Sequence, residues 1–403
     1  MKFKTPTTIV ATFRQISLIR RDIRLVMWSL VVLLLPFYVF DSGVPQPADW
    51  IALTLLPMLL KTWNGRMPGA MLRPLKSLLV FMAYVLVVNL VWSLVAFTFS
   101  INAKEGFLMA PTYYIFNGLM FFTFLLMFQK YGEFLLWLTV RLVLAAVFLQ
   151  VLMSALARGI DGRSSVMFNN PNQLGYYALV SACLILFGQK RFKISTVLVT
   201  AGLAACSYLA LISASKAALA SICALGVVLL ISKVRTIVLA GIVFSALIFT
   251  SNPFSRAIDN AHSRIENDQS YGFFEERGYD RIAAFPEYWP LGAGEGYYNR
   301  FKEISAIGSH ELHSSVATLF FCYGLAGVTL FGMFMWGTMR GAELRTVIIV
   351  GAAFAYGMTH QGLRFRLLWL LLAMVVSLRE LDTRERLARL AKRLVPGRPG
   401  RAA

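Results

Sequence analysis

Few side chains in this sequence can do acid–base or anion chemistry, and they gather where apolar runs begin or end. Arg163 and the run Phe168-Asn-Asn-Pro-Asn-Gln173 lead into one such run, and Ser213, Ser215 and Lys216 separate two others. Arg264, Arg277 and Arg281 lie in one long polar stretch that closes with His310 and His313, while His360, Arg364 and Arg366 divide the last two runs. Ionisable groups near membrane depth are costly, so each marks a candidate function. Arginine offers phosphate oxygens a two-pronged fork and lysine a point charge, so the natural guest of such a set is a phosphate- or diphosphate-bearing lipid. The same cations stabilise a diphosphate as it leaves. His313 is the candidate base for an acceptor hydroxyl, because imidazole titrates near neutral pH. Arg277, Arg281 and Lys216 are the candidate diphosphate clamps, and group transfer from a lipid diphosphate needs both parts.

Each residue also has a plainer reading. Asn170-Pro171-Asn172 is the pattern of a helix-capping turn, with Asn accepting from free amides and Pro in the first turn. Arg364 and Arg366 can be anchors reaching toward headgroups, and His310 a solvated loop residue. Gly292-Ala-Gly-Glu-Gly296 follows no predicted strand and lacks the GK[ST] ending, so a nucleotide loop is not expected there. Glu275, Glu276 and Asp280 lie close in sequence, but at helical spacing salt bridges to their arginine neighbours are expected rather than a metal site. No metal and no cofactor is expected. The candidate substrate contacts are Arg163, Asn170, Asn172, Ser215, Arg264, Glu295, His310 and Arg364.

The elements that must position these residues are membrane helices. Of 403 residues, 58% are hydrophobic and 15% charged, against roughly 25% charged in a soluble globule. The net charge of +19 comes from short basic clusters between apolar runs, which argues for topology and against nucleic acid. The four cysteines all lie in apolar runs and read as small core residues. A span needs roughly 17 to 25 apolar residues, and about twelve segments qualify. They begin near Leu25, Ala48, Ser77, Phe107, Phe134, Asn172, Ile194, Ala217, Thr236, Ser314, Thr346 and Leu367. The basic segment from Lys2 to Arg24 runs into the first span with no small-residue cleavage site, so no cleaved signal peptide is expected. The excess of Lys and Arg in alternate loops places both termini in the cytoplasm. The expected organisation is nine spans in residues 1–250, a large extracytoplasmic loop over 251–313, three spans in 314–380, and a basic cytoplasmic tail over 381–403. Leucines at helical spacing among the tail's arginines suit an amphipathic helix on anionic headgroups.

Several motifs in their order resemble the O-antigen ligase and polymerase family: Phe168-Asn-Asn-Pro-Asn-Gln-Leu-Gly175, Ser213-Ala-Ser-Lys216, Glu276-Arg-Gly-Tyr-Asp-Arg281, Pro290-Leu-Gly-Ala-Gly294, and His313-Ser-Ser followed by Tyr323-Gly-Leu-Ala-Gly327. The match covers mainly residues 160 to 330. It implies an all-α polytopic fold of the membrane glycosyltransferase C type in the bacterial inner membrane, with the large loop and active site in the periplasm. It further implies inverting, metal-independent transfer of O-antigen polysaccharide from undecaprenyl diphosphate to lipid A-core oligosaccharide, completing lipopolysaccharide. The family's histidine corresponds to His313 and its loop arginine to Arg277 or Arg281, with Arg264 a rival. Lys216 stands where the family more often has arginine, which keeps the charge and loses the fork. The competing expectations are an O-antigen polymerase, a transporter of lipid-linked glycan, and a non-catalytic scaffold. The absence of an internal repeat weighs against the transporter.

Overall fold

The computed structural model describes residues 19, 22–41, 43–98, 106–156, 163–230, 273–301 and 311–394. Among these residues there are helices and connecting loops and no strand. The helices are α1 (Ile23–Leu34), α2 (Pro47–Leu60), α3 (Gly69–Thr98), α4 (Met109–Tyr131), α5 (Glu133–Leu156), α6 (Pro171–Arg191), α7 (Thr196–Ser213) and α8 (Lys216–Leu230). After them come two short turns of helix, α9 (Phe273–Glu276) and α10 (Asp280–Ala284), then α11 (Ser315–Met339), α12 (Leu344–Tyr356) and α13 (Arg366–Leu394). Helices α3, α4, α5, α7 and α11 are long and apolar enough to cross a bilayer. The chain is a helical membrane protein.

Ten of the expected span starts fall within two residues of a helix start, while Ser77 lies inside α3, which begins at Gly69. The start near Thr236 lies outside the described residues, as do the candidates Arg264 and His310. Three expected spans are shorter than predicted. With 12, 14 and 13 residues, α1, α2 and α12 rise only about 18 to 21 Å at 1.5 Å per residue, less than the roughly 30 Å hydrocarbon core. The last helix continues into the basic tail, since α13 runs unbroken from Arg366 to Leu394.

Two helices form the centre. Ala178 to Phe187 in α6 and Leu367 to Val376 in α13 are buried almost without interruption. A helix apolar on every side finds its partners only in the middle of a bundle, and α13 packs there against α3, α4 and α6. Glycine lets neighbours come close, as membrane helix packing favours. A Cβ on Gly175 would lie 2.7 Å from the Ser213 Oγ and 2.8 Å from the Ser215 Cβ, so α6 rests directly on the turn between α7 and α8.

The two ends of the bundle differ. Trp92, near the end of α3, donates from Nε1 to the Gly292 carbonyl (3.1 Å), beside the first half of α11. The start of α3 instead shares a basic groove with the end of α11 and the second half of α13. With 25 residues, α11 rises about 37 Å, so the two ends are a membrane thickness apart.

Candidate active site

His313 is exposed and stands just before α11, whose N-cap is Ser314, the Oγ accepting from the Ala317 amide (3.2 Å). The 357–364 loop is stitched to this start. Ser315 N donates to the Gly357 carbonyl (2.8 Å) and its Oγ to that of His360 (3.1 Å), while Leu363 N donates to the Ser315 Oγ (3.1 Å). Gln361 Nε2 donates to the Leu312 carbonyl (2.5 Å) and the Thr318 hydroxyl (2.6 Å). These bonds hold His313 and His360 in the wall of one cavity of about 670 Å³.

The Glu276–Arg281 stretch docks beside the histidine through two neighbours of Arg277. Gly278 has φ +76°, and a Cβ there would overlap the Leu312 side chain; only glycine accepts both the backbone conformation and the contact. The Tyr279 hydroxyl shares a hydrogen bond with the Ser314 Oγ (2.8 Å) and donates to the Met358 carbonyl (2.8 Å). Arg277 is thereby held near residues 312–314, and its charge acts on Tyr356 together with that of Arg163.

The opposite wall begins at α6. Asn170 caps it by accepting from Asn172 N (2.7 Å), with Pro171 in the first turn, so the capping expectation holds. Asn172 does more: its Oδ1 accepts from the Arg163 guanidinium (2.6 Å), which also donates to the Ser213 carbonyl (3.1 Å). Its own carbonyl accepts from the Tyr356 hydroxyl (2.8 Å). The turn 213–216, with Ser215 buried and Lys216 opening α8, is thus tied through Arg163 to the wall of the cavity. An aromatic ladder lines the same side, with Tyr176 stacked on Tyr356 (4.2 Å between ring centroids) and Tyr356 beside His360 (4.7 Å).

The anchor reading of Arg364 and Arg366 is corrected by their acidic partners. Arg364 pairs with Glu295 and Glu311 and lies over the Tyr113 ring (4.7 Å), while Arg366 pairs with Asp49 over Tyr38 (5.3 Å). Burial opposes the Arg364 charge, but Glu295 and Glu311 outweigh it and raise the guanidinium above its ordinary value. Neither arginine is a loose headgroup anchor. Each ties helices together, and this side of the cavity is close to charge-balanced.

Glu295 does not line the cavity; it is 1% exposed. Its carboxylate accepts from Tyr323 (2.6 Å) and Tyr114 (3.3 Å), and its amide donates to the Asn89 Oδ1 (2.8 Å). The glycine-rich stretch Gly292-Ala-Gly-Glu-Gly296 is what brings it there. At Gly324 (φ 63°, ψ −170°) α11 leaves helical geometry. The loop fills the break: Ala293 N and Gly294 N donate to the carbonyls of Phe321 and Cys322 (both 2.9 Å), and Leu325 N donates to the Trp289 carbonyl (2.7 Å). A broken helix at membrane depth is tolerated when other protein groups satisfy its backbone. Arg281 also lies away from the cavity, its guanidinium over Tyr298 (5.5 Å), and burial lowers its pKa from the ordinary value.

Comparison of the chain with protein families and with curated proteins finds no match to either. The site therefore rests on its own geometry. Among the candidates, His313, Asn170, Asn172 and Arg364 share the cavity, with Arg163 bonded to its wall and Arg277 acting on it. Arg281 and Glu295 form a layer behind it. Asp49, Glu311 and Gln361 line it unforeseen, and His360, singled out in the sequence beside Arg364 and Arg366, lines it too. Their spacing to His313 in sequence carries no signal, because a crossing of several helices brings them together.

Proposed function

We propose that this protein is a glycosyltransferase that moves a glycan from a polyprenyl diphosphate to a hydroxyl acceptor, and specifically an O-antigen ligase of the membrane glycosyltransferase C type. The observation that carries the reading is the cavity itself. It joins an exposed histidine to amides (Asn117, Asn170, Asn172, Gln173), aromatic rings and carboxylates. Amide, carboxylate and ring faces are the groups that recognise sugar hydroxyls and apolar sugar faces, and about 670 Å³ accommodates a few sugar rings.

Helices α4, α6, α11 and α13 all begin at this end, so their positive poles favour an anionic guest. In this reading Arg163, Arg277 and Lys216 face the diphosphate, since they cluster on the Asn172–Tyr356 side, whereas Arg364 is neutralised by Glu295 and Glu311. An imidazole nitrogen of His313 takes the proton of the acceptor hydroxyl. The acceptor oxygen forms a bond to the anomeric carbon as the bond to the diphosphate oxygen breaks, and polyprenyl diphosphate departs with the electron pair. Attack opposite the leaving group inverts the anomeric centre.

The test is transfer of glycan from undecaprenyl diphosphate to rough lipopolysaccharide by the purified protein in detergent with a chelator present. Product is expected, and His313→Ala should lower its rate by about a hundredfold or more at normal abundance. Chain growth only on a second lipid-linked glycan would move the assignment to a polymerase. A fully active His313→Ala protein would remove the base from the reading, and inactivity on both acceptors would refute glycosyl transfer.

A further inference from the structure

At the end of the bundle opposite His313, α3, α11 and α13 enclose a groove of about 1090 Å³. Arg73 and Lys76 reach it from α3, Arg340 from the end of α11, and Arg379 and Arg386 from α13, with Asp382 the lone acid among the lining residues. No ion pair joins these five cations to a carboxylate among the described residues. Arg379 is occupied, donating to the carbonyls of Gly337 (2.6 Å) and Thr338 (2.7 Å), and the Arg340 charge acts on it directly. Five cations gathered around a single carboxylate leave an excess of positive charge that favours an anion between them.

The flank of the groove is apolar and open. Trp336 is 70% exposed and Met333 55%, and a Cβ on Gly332 would meet nothing within 4 Å. On a membrane helix such a face meets acyl chains, and a tryptophan beside basic residues marks the headgroup level.

From these observations we infer that the groove binds a phosphate-bearing anionic lipid, its headgroup between Arg73, Lys76, Arg340 and Arg386 and its acyl chains along Met333 and Trp336. The combination selects against a soluble phosphate compound, which would use the cations and leave the apolar flank bare. Basic pockets between helices on the more positive side of a membrane protein are suited to such headgroups. The inference does not depend on the chemistry proposed at His313.

The full-length protein in detergent, titrated with phosphatidylglycerol and followed by native mass spectrometry, tests it. Arg73 and Arg340 are both exposed, and Arg73→Gln/Arg340→Gln should weaken lipid retention about tenfold or more, given the headgroup attraction of each basic residue. Lys61→Gln/Arg66→Gln removes the same charge from the exposed α2–α3 connection outside the groove. It should change retention by less than about twofold if contact rather than bulk charge governs binding. Trp336→Ala should weaken retention with the charge intact. Equal losses in the two charge variants, or none in either, would overturn the site. Displacement of the lipid by millimolar inorganic phosphate, with Trp336→Ala unchanged, would make it a soluble-anion site and overturn the lipid assignment.

Discussion

At the residue scale, His313 depends on neighbours that have no chemistry of their own. Arg277 reaches its position because Gly278 fits against Leu312 and Tyr279 bonds Ser314 and Met358. Gly278→Ala should therefore be informative. A side chain at φ +76° costs about 1–2 kcal/mol, and the overlap with Leu312 pushes Arg277 and His313 apart. Because displacements near 1 Å cost up to about a hundredfold in rate, glycan transfer should fall at least about tenfold in an otherwise abundant, folded protein. Unchanged transfer would show that the two residues need not be held together. Sequence reading singled out His313 and Arg277 as candidates because an ionisable group in an apolar chain stands out. It could not separate Arg277 from Arg281, four residues on, since only the fold brings one beside residues 312–314 and lays the other over Tyr298.

At the element scale, the broken α11 is the joint between loop and bundle. Gly324 sits at φ 63°, and a Cβ there would lie 2.7 Å from the backbone of Pro290 and Gly292. Gly324→Ala should destabilise the protein by about 3 kcal/mol or more, since strained backbone and overpacking add. Gly351→Ala in α12, where a Cβ meets nothing within 4 Å, should be neutral or stabilising by up to about 1 kcal/mol; thermal unfolding in detergent compares them. Similar midpoints for both variants would show the joint to be dispensable. A second joint is sensitive to pH. Asp22 caps α1, and although burial opposes its charge, hydrogen bonds from Arg24 and Tyr131 lower its pKa below the ordinary value. A carboxylate held low in the folded state adds stability above the ordinary carboxylate range and loses it as pH falls through the folded value. Asp22→Asn should lower the unfolding midpoint at pH 7, and the gap from the unsubstituted protein should close below about pH 4. A gap that persists there would assign the loss to packing instead of charge.

At the scale of the whole molecule, the site and the basic groove lie at opposite ends of α3, α11 and α13, so they belong on opposite faces of the membrane. Glu287 and Arg389 are both exposed, one near each end, while Cys183, Cys206 and Cys322 are buried and Cys223 is exposed. With Cys223→Ser as background, Glu287→Cys should react with a membrane-impermeant maleimide in intact cells and Arg389→Cys only after permeabilisation; labelling of both from one side would refute the arrangement. The sequence by itself determined that the protein is helical and membrane-embedded, where most helices begin, and which few residues are candidates for chemistry. Those properties follow from local apolar length and from the rarity of charge within it. The tertiary structure alone decided that Arg364 and Arg366 are neutralised by Glu295, Glu311 and Asp49. It alone showed that Gly292–Gly296 plugs a break in α11, and that His360 and Glu311 share a cavity with His313. Ion pairs and cavity walls join residues up to hundreds of positions apart, as Asp49 and Arg366 show, and no periodicity along a single helix records which other helix will cross it.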